Sequence, residues 1–228
     1  MHFFSDPLSP YDIRNICLKN GLEIIESRWK LLENWTNLLI EVNKEVNLIS
    51  RKETNLIWEK QILPCLALLI LRKFDLNSDV CDFGTGAGLP GMLLAIVRPD
   101  LRLTLFESRK KKVLAVHKMI ETLEITNVQV VHGRGEELSK RKQWLKKFPY
   151  ITSRAVAPMI DIVNWTKDLR STESVLHIFK GGDIEEEIFF LSKKISGLRI
   201  KKSLMSIKGY SKLAENQKYL ISLKFNKD

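Results

Sequence analysis

The chain has 228 residues, 44% of them hydrophobic, which is enough for one sizeable packed domain and excludes global disorder. Lysine and arginine number 37 against 27 acidic residues, so the formal net charge is +10. A surplus of this size suits a polyanionic partner such as nucleic acid or an anionic membrane, although a merely soluble basic protein has the same balance.

The three cysteines are Cys17, Cys65 and Cys81, and no two have the spacing of a metal or redox motif. An odd number does not suit a disulfide framework, so we expect reduced thiols in the core and no metal site. The longest uncharged apolar run, residues 62–71, contains Pro64 and is too short to span a bilayer. Because the N-terminus lacks a long apolar run, we expect no signal peptide and a cytoplasmic protein without membrane contact.

Up to about residue 75 the pattern is that of helices. Ser9–Pro10 is typical of a helix N-cap followed by proline in the first turn, and Gly21 predicts the end of that helix. Apolar residues then recur at steps of three and four over residues 25–46, which predicts a long amphipathic helix. A further helical stretch is expected over residues 54–71, kinked or restarted at Pro64.

Beyond residue 78 the pattern alternates between strands and helices. Strands are predicted at residues 80–83, 101–106, 128–131, 150–156 and 175–179, with helices at 89–97 and 110–123. This alternation indicates a mostly parallel, doubly wound sheet. Two closing strands, 198–207 and 219–225, have no clear crossover helix between them and are expected to be antiparallel. We therefore predict a helical extension at residues 1–75 and an α/β domain at residues 76–228.

One glycine-rich segment follows a strand and opens a helix. It reads Asp82-Phe83-Gly84-Thr85-Gly86-Ala87-Gly88-Leu89-Pro90-Gly91. Glycines in this position let the backbone turn sharply and let a ligand approach without meeting a Cβ, and Pro90 suits the first turn of the helix. The next strand ends at Glu107, whose carboxylate can accept hydrogen bonds from both hydroxyls of a ribose.

Two cofactors share this layout. The spacing Gly86-x-Gly88-x-x-Gly91 matches a dinucleotide fingerprint, whereas Asp82-x-Gly84-x-Gly86-x-Gly88 matches the first motif of S-adenosylmethionine methyltransferases. The chain has no second glycine turn of the kind that a second mononucleotide half requires, and its basic surplus suits RNA. The methyl donor is therefore favoured, with an NAD-dependent oxidoreductase and a non-catalytic RNA-binding protein as the alternatives.

Six segments share their order and spacing with one known family over roughly residues 25–190. They are Asn47–Arg51, Gly84–Gly91 with its Leu-Pro-Gly, Ser108–Val113, Gly133–Glu137, Ser153–Ala157 and Phe179–Gly181. Together they resemble the bacterial RsmG (GidB) family. The resemblance implies a class I methyltransferase fold with an N-terminal helical extension. It also implies transfer of a methyl group from S-adenosylmethionine to N7 of a guanine in 16S, small-subunit, ribosomal RNA.

The motif and the resemblance together imply a set of cofactor-binding residues. They are Asp82, Gly84, Thr85, Gly86, Gly88, Leu89, Glu107, Ser108, Arg134, Gly135, Glu136 and Arg154. Glu107, where the family usually has Asp, would hold the ribose; Gly135 and Glu136 would flank the adenine; Arg154, the candidate catalytic residue, would lie between cofactor and base. The implied RNA contacts are Lys111, Lys112, Arg134 and Lys180. The implied partner is 16S rRNA or the small ribosomal subunit, and we expect a monomer.

At one segment the sequence departs from the family. Where the family has Arg-His-Ile-Leu-Asp-Ser, this chain has Lys60-Gln61-Ile62-Leu63-Pro64-Cys65. The His, Asp and Ser of the family are thus missing. Because this segment packs near the site in the family, the changes at Gln61, Pro64 and Cys65 bear on target affinity or efficiency.

The chemistry implied for the base requires little from the protein. Guanine N7 is an unprotonated lone pair on the base edge, so it can attack a sulfonium methyl directly and in line without a general base. The sequence shows no obvious catalytic His or Cys, which agrees with that mechanism. The work left to the protein is to align the reacting atoms and to exclude water.

Overall fold

The structure is a computed structural model that describes residues 7–225. The predictions that concern residues 1–6 and 226–228 lie outside the described residues. The helices are α1 Pro10–Lys19, α2 Glu26–Asn43, α3 Leu63–Leu71, α4 Gly91–Val97, α5 Lys110–Thr122, α6 Gly135–Leu138, α7 Met159–Trp165, α8 Glu185–Lys194 and α9 Lys212–Glu215. The strands are β1 Asp79–Phe83, β2 Arg102–Glu107, β3 Val128–His132, β4 Phe148–Arg154, β5 Arg170–Gly181, β6 Leu198–Leu204 and β7 Lys218–Phe225.

The seven strands form one sheet in the order β3-β2-β1-β4-β5-β7-β6. Strands β1 to β5 are parallel, and β7 lies antiparallel to both β5 and β6. This confirms the mostly parallel, doubly wound sheet with an antiparallel C-terminal strand. Strand β4 ends at Arg154, two residues before the predicted end, because Ala155 takes a φ of +54° and turns the chain out of the sheet.

The first two helices begin and end largely where the sequence predicts. The Ser9 hydroxyl accepts from the Asp12 amide and the Asp12 carboxylate accepts from the Ser9 amide, which makes a capping box ahead of α1. Gly21, with a φ of +75°, takes the left-handed conformation just beyond its end. Helix α2 ends at Asn43, three residues before the predicted end, because the Asn43 side chain turns back to bond the following segment.

The predicted helical stretch at residues 54–71 consists of three kinds of helix. A 3₁₀ helix covers Arg51–Leu56, a π-helical turn covers Trp58–Ile62, and α3 begins at Leu63. Pro64 lies in the first turn of α3, where an amide hydrogen has no partner within the helix. The proline therefore restarts the helix, as predicted, and the π turn just before it is typical of functional segments.

Helices cover both faces of the sheet, each over its own hydrophobic core. Helices α1 to α5 pack on one face, where residues such as Trp35, Leu66 and Leu93 share a cluster. Helices α6, α7 and α8 pack on the other, around Phe148 and Ile162. Since the first cluster joins residues from both sides of position 75, the division into 1–75 and 76–228 remains a proposal.

The three cysteines, Cys17, Cys65 and Cys81, are buried and unpaired, which confirms their predicted place in the core. Between residues 7 and 225, every helix is too short or too polar to cross a bilayer.

Candidate active site at the carboxyl ends of the strands

The glycine-rich loop is anchored from below by a buried carboxylate. Asp82 accepts hydrogen bonds from the Thr85 hydroxyl at 2.5 Å, the Thr152 hydroxyl at 2.8 Å and the Gly91 amide at 3.0 Å. Burial raises the pKa of the Asp82 carboxyl above its usual value, and these hydrogen bonds offset part of that effect. Asp82 therefore fixes the loop on β1 and on the start of α4, behind the surface that a ligand would meet.

Glu107, at the end of β2, fixes the upper part of the same loop. Its carboxylate accepts from the Gly86 amide at 2.9 Å and, through the other oxygen, from the Arg109 amide at 2.8 Å. Gly86 has a φ of +59°, and a Cβ on it would come near only one protein atom, the Lys112 Nζ at 3.9 Å. The bare backbone of Gly86 thus faces open space beside a carboxylate that keeps further lone pairs for ligand hydroxyls.

A cleft of about 490 Å³, called here the cofactor-side cleft, opens over this loop and is within the size range of small-molecule sites. Its lining includes Gly84, Thr85, Gly86, Leu89, Glu107, Ser108 and Arg154. A smaller cleft of about 190 Å³ shares Gly84, Ser108 and Val156 with it and extends between β2 and α6. Gly135 forms one wall of this smaller cleft, where a Cβ would lie only 2.1 Å from the Phe83 ring. The two clefts together suit an extended ligand with a ribose at Glu107 and a flat ring near Gly135.

The helical extension supplies a second wall of the larger cleft. Leu48 and Ile49 line it, and their amides donate to the Asn43 side-chain oxygen at 2.8 Å and 2.9 Å. Asn43 is buried, so its side chain holds this turn rigidly at the end of α2. The cleft is therefore built by the extension and the sheet together.

Arg154, at the end of β4, contacts the segment 60–65, where the sequence departs from the family. Its guanidinium donates to the Gln61 side-chain oxygen at 2.8 Å, to the Lys60 and Gln61 carbonyls, and to the Cys65 sulfur at 3.3 Å. Gln61 in turn donates to Glu53 at 2.6 Å. Burial raises the pKa of the Cys65 thiol to about 11, so the sulfur stays protonated at neutral pH.

A third cleft of about 390 Å³ lies on the other side of Arg154. It shares Glu53, Gln61, Arg154 and Ala155 with the cofactor-side cleft. Its remaining lining includes Lys60, Pro64, Phe179, Lys180 and Lys218. The three positions where the chain departs from the family, Gln61, Pro64 and Cys65, therefore lie on this cleft or in contact with Arg154.

Most of the predicted cofactor residues line either the cofactor-side cleft or the smaller cleft beside it. They are Gly84, Thr85, Gly86, Leu89, Glu107, Ser108 and Arg154 in the larger cleft, and Arg134, Gly135 and Glu136 in the smaller. Asp82 and Gly88 line neither: Asp82 is buried under the loop, and a Cβ on Gly88 would lie 2.5 Å from the Met92 side chain. These two residues shape the loop rather than its surface.

The four predicted RNA contacts are placed differently from one another. Lys112 lines the cofactor-side cleft, Lys111 is exposed beside it, and Arg134 lies 3.8 Å from Glu136 at the smaller cleft. Lys180 lines the third cleft, but its ammonium bonds Glu187 at 2.8 Å and the Ala157 carbonyl.

Sequence reasoning missed several residues that line these clefts. They are Leu48, Ile49 and Glu53. The segment Asn47–Arg51 carries a motif of the resemblance, which was the available signal for Leu48 and Ile49. Across residues 7–225, the acidic, histidine and cysteine side chains form no group of three or more placed to hold a metal ion.

The glycine turn after β1 and the acid after β2 are shared with dinucleotide-binding proteins, but here β7 lies antiparallel between β5 and β6. With the cleft at the carboxyl ends of the strands, this mixed sheet is that of a class I S-adenosylmethionine-dependent methyltransferase. The chain belongs to the GidB family, described as rRNA small subunit methyltransferase G, which matches residues 28–216. This membership sets aside the NAD-dependent oxidoreductase and the non-catalytic RNA-binding protein.

Individual proteins agree with this assignment. The chain is 37% identical over 173 residues to "Ribosomal RNA small subunit methyltransferase G" of Chlorobium limicola, covering 76% of each chain. It is 32% identical to the protein of that name from Chlorobium phaeobacteroides, covering 86% of this chain and 85% of that protein. A mutant of MtNAS in complex with S-adenosylmethionine has a TM-score of 0.57 at 19% identity, over 87% of this chain and 76% of that one, which shows the shared fold.

The role of Glu107 leads to a first prediction. Glu107→Ala removes the acceptor for the Gly86 and Arg109 amides as well as for ribose hydroxyls, and hydrogen bonds to a charged group contribute about 1.5–3 kcal/mol. We expect S-adenosylhomocysteine to bind roughly ten- to a hundredfold more weakly in titration calorimetry. Glu107→Asp, the matched control, keeps the carboxylate and should have a mild effect. Unchanged affinity in both folded variants would rule out the ribose role.

Proposed function

We propose that this member of the family methylates N7 of a guanine in 16S rRNA, with S-adenosylmethionine as the methyl donor. The observation that carries the proposal is the junction of two clefts at Arg154. The cofactor-side cleft and the third cleft share Arg154, Gln61 and Ala155, so a donor in one and a base in the other would meet there. Naked 16S rRNA or the small ribosomal subunit is the proposed partner, and a monomeric, cytoplasmic protein is proposed with it.

The residues on the cofactor side fit such a donor. Glu107 would bind the ribose hydroxyls, and the cleft at Gly135 and Glu136, with the Phe83 and Trp165 rings in its lining, would bind the adenine. S-adenosylmethionine supplies a methyl group on a positively charged sulfur. Gly86 leaves its backbone open toward it, and Arg154 at the far end is placed to bind a carboxylate or the base.

The residues around the junction of the two clefts suit a nucleophile that has no proton to lose. None of the described residues that line the cofactor-side cleft or the third cleft is a histidine or a cysteine. Glu53, whose carboxylate accepts from Gln61, is the acid that faces both clefts, and the nearby Cys65 thiol stays protonated. Guanine N7 needs no base, so positioning by this site is sufficient.

The third cleft also has the charge that RNA requires. Lys60 and Lys218 line it and are exposed, and Lys112 lies across Arg154 on the cofactor side. Phosphate groups of an RNA chain would be attracted to these cations while a base enters between them.

Ribosomal RNA from cells with and without this protein tests the proposal. N7-methylguanosine is cleaved selectively after reduction with borohydride and treatment with aniline, and primer extension locates the break. We expect one break in 16S rRNA from cells that have the protein. The break should be absent from cells that lack it and should return when the protein is supplied again. Identical cleavage patterns in the two strains would contradict the proposal.

Gln61 gives a second prediction as a positioning residue for Arg154. Gln61→Met has nearly the same length but loses the acceptor 2.8 Å from the guanidinium. We expect kcat to fall about tenfold, equivalent to about 1.4 kcal/mol, because Arg154 is no longer held at the junction. Affinity for S-adenosylhomocysteine should change less than kcat.

Two further variants make this prediction specific. Gln61→His, the residue that the family has at this position, keeps an acceptor nitrogen and should retain most of the activity. Gln129→Met, on the exposed side of β3, is the matched control for the glutamine-to-methionine change and should be silent. Equal kcat in Gln61→Met and Gln129→Met would exclude the positioning role.

A further inference from the structure

A further cleft, called here the basic cleft, lies at the opposite end of the sheet from the active site. It has a volume of about 360 Å³ and is formed by the end of α3 and the face of β4, β5, β7 and β6. Five of the residues that line it are cations: Arg72, Lys73, Arg199, Lys201 and Lys224. None of the described residues that line it is acidic, and the nearby Asp75 carboxylate is bonded to the Tyr150 hydroxyl at its rim, at 2.8 Å.

The sheet register places these cations against one another. Arg199 on β6 lies directly opposite Lys224 on β7, and the next pair on the same face is Lys201 opposite Ser222. Like charges directly opposite each other across antiparallel strands destabilise a sheet. An anion that lies between the side chains would turn this repulsion into attraction.

Arg72 forms the inner wall of the cleft and has no acidic partner. Its guanidinium donates to the Ser222 hydroxyl at 2.7 Å and the Ser203 hydroxyl at 2.6 Å, and among residues 7–225 no carboxylate lies within 4.0 Å of it. Partial burial lowers the pKa of this guanidinium. His177 beside it is buried and neutral, because burial lowers its pKa to about 3. The hydrogen bonds of Arg72 therefore hold its positive charge at a fixed position on the wall of the cleft.

We propose that this cleft binds phosphate groups of the substrate RNA at a second contact, remote from the methyl-transfer junction. The inference rests on the proposed function, since it takes RNA as the substrate. Strand β7 joins the two sites: Lys218 lines the third cleft and Lys224 lines the basic cleft, roughly 20 Å apart along the strand. An RNA segment of several nucleotides spans that distance, so one substrate reaches both sites.

The test removes three charges from the cleft and compares their loss with an equal loss elsewhere. The variant carries Arg199→Gln, Lys201→Gln and Lys224→Gln. Its matched control carries Lys167→Gln, Lys193→Gln and Lys194→Gln, three exposed lysines that line none of the clefts described above. Binding of fluorescent 16S rRNA fragments is measured by anisotropy from low to high salt, and S-adenosylhomocysteine binding is measured alongside.

We expect the cleft variant to bind RNA at least tenfold more weakly than its control at about 0.1 M salt, with a salt slope lower by about 2. Its KM for RNA should rise while kcat and S-adenosylhomocysteine affinity match those of the control. If the triple variant unfolds, Lys201→Gln and Lys224→Gln singly should each lower the slope by about 0.7–0.9.

The outcomes separate this inference from the proposed function. If the wild type methylates RNA but the cleft variant and its control share one slope and one KM, the second contact is wrong and the function stands. If inorganic phosphate raises the melting temperature of the wild type but not of the cleft variant, while their RNA binding is equal, the ligand is a small free anion and the RNA contact is refuted. If the wild type methylates no RNA at all, both proposals fail.

Discussion

Arg154→Ala is expected to lower kcat/KM for RNA methylation at least a hundredfold. The guanidinium lies where the cofactor-side cleft and the third cleft meet, and no acidic side chain among residues 7–225 forms an ion pair with it. Its charge is therefore available to a cofactor carboxylate or to the target base. Removing one fixed donor of this kind from an active site typically costs about 10²–10³ in rate.

Arg154 also bonds the extension, so its loss has a structural component that needs a control. Arg154→Lys keeps the charge but not the planar fork that reaches Gln61, Lys60 and Cys65 together. We expect it to lose roughly tenfold in kcat/KM, between the wild type and Arg154→Ala. Steady-state kinetics with melting curves measure both effects. Wild-type activity in a folded Arg154→Ala would remove this residue from the mechanism.

An RNA substrate with 7-deazaguanine at the target position is expected to accept methyl groups at least a thousandfold more slowly than the guanine substrate. Carbon replaces the nitrogen whose lone pair we propose as the nucleophile, and nothing else on the base edge changes. Because phosphate contacts supply most of the RNA affinity, the two RNAs should bind nearly equally. Methylation of the 7-deaza RNA at the normal rate would show that another atom is the acceptor.

The pH dependence of the rate provides an independent check on the same mechanism. A histidine or cysteine base would make the rate rise with pH through its pKa, whereas N7 attack needs no such group. The thiol nearest to the junction, Cys65, has its pKa raised to about 11 by burial. We therefore expect a flat rate between roughly pH 6 and 9, where a base of ordinary pKa would titrate.

The parts of this site that the sequence predicted are encoded locally. The glycine turn after β1 and Glu107 at the end of β2 are set by short spacings, and the structure joins them through the Gly86 amide. The mostly parallel, doubly wound sheet also followed, because alternating strands and helices allow few topologies. The resemblance to a known family supplied Gly135 and Glu136, which line the smaller cleft and which spacing alone did not indicate.

The parts that escaped prediction depend on contacts between distant segments. Arg154 bonds Gln61 from 93 positions away, and no local pattern announces that pair. The basic cleft collects its cations from the end of α3 and from two late strands, so each looks like an ordinary surface residue in the sequence. Helices α6 and α9 have only four residues each, which is too short for a periodic signal, whereas three acids in the first turn of α8 were a signal that went unused.

The central claim is methyl transfer to N7 of a guanine, and one measurement tests it most directly. The purified protein is incubated with 16S rRNA lacking the modification and with S-adenosylmethionine that carries a deuterated methyl group. The RNA is then digested to nucleosides and separated by mass spectrometry. Our account predicts deuterated N7-methylguanosine as the single labelled nucleoside. Label on another atom of guanine, on another base or on a ribose would contradict it.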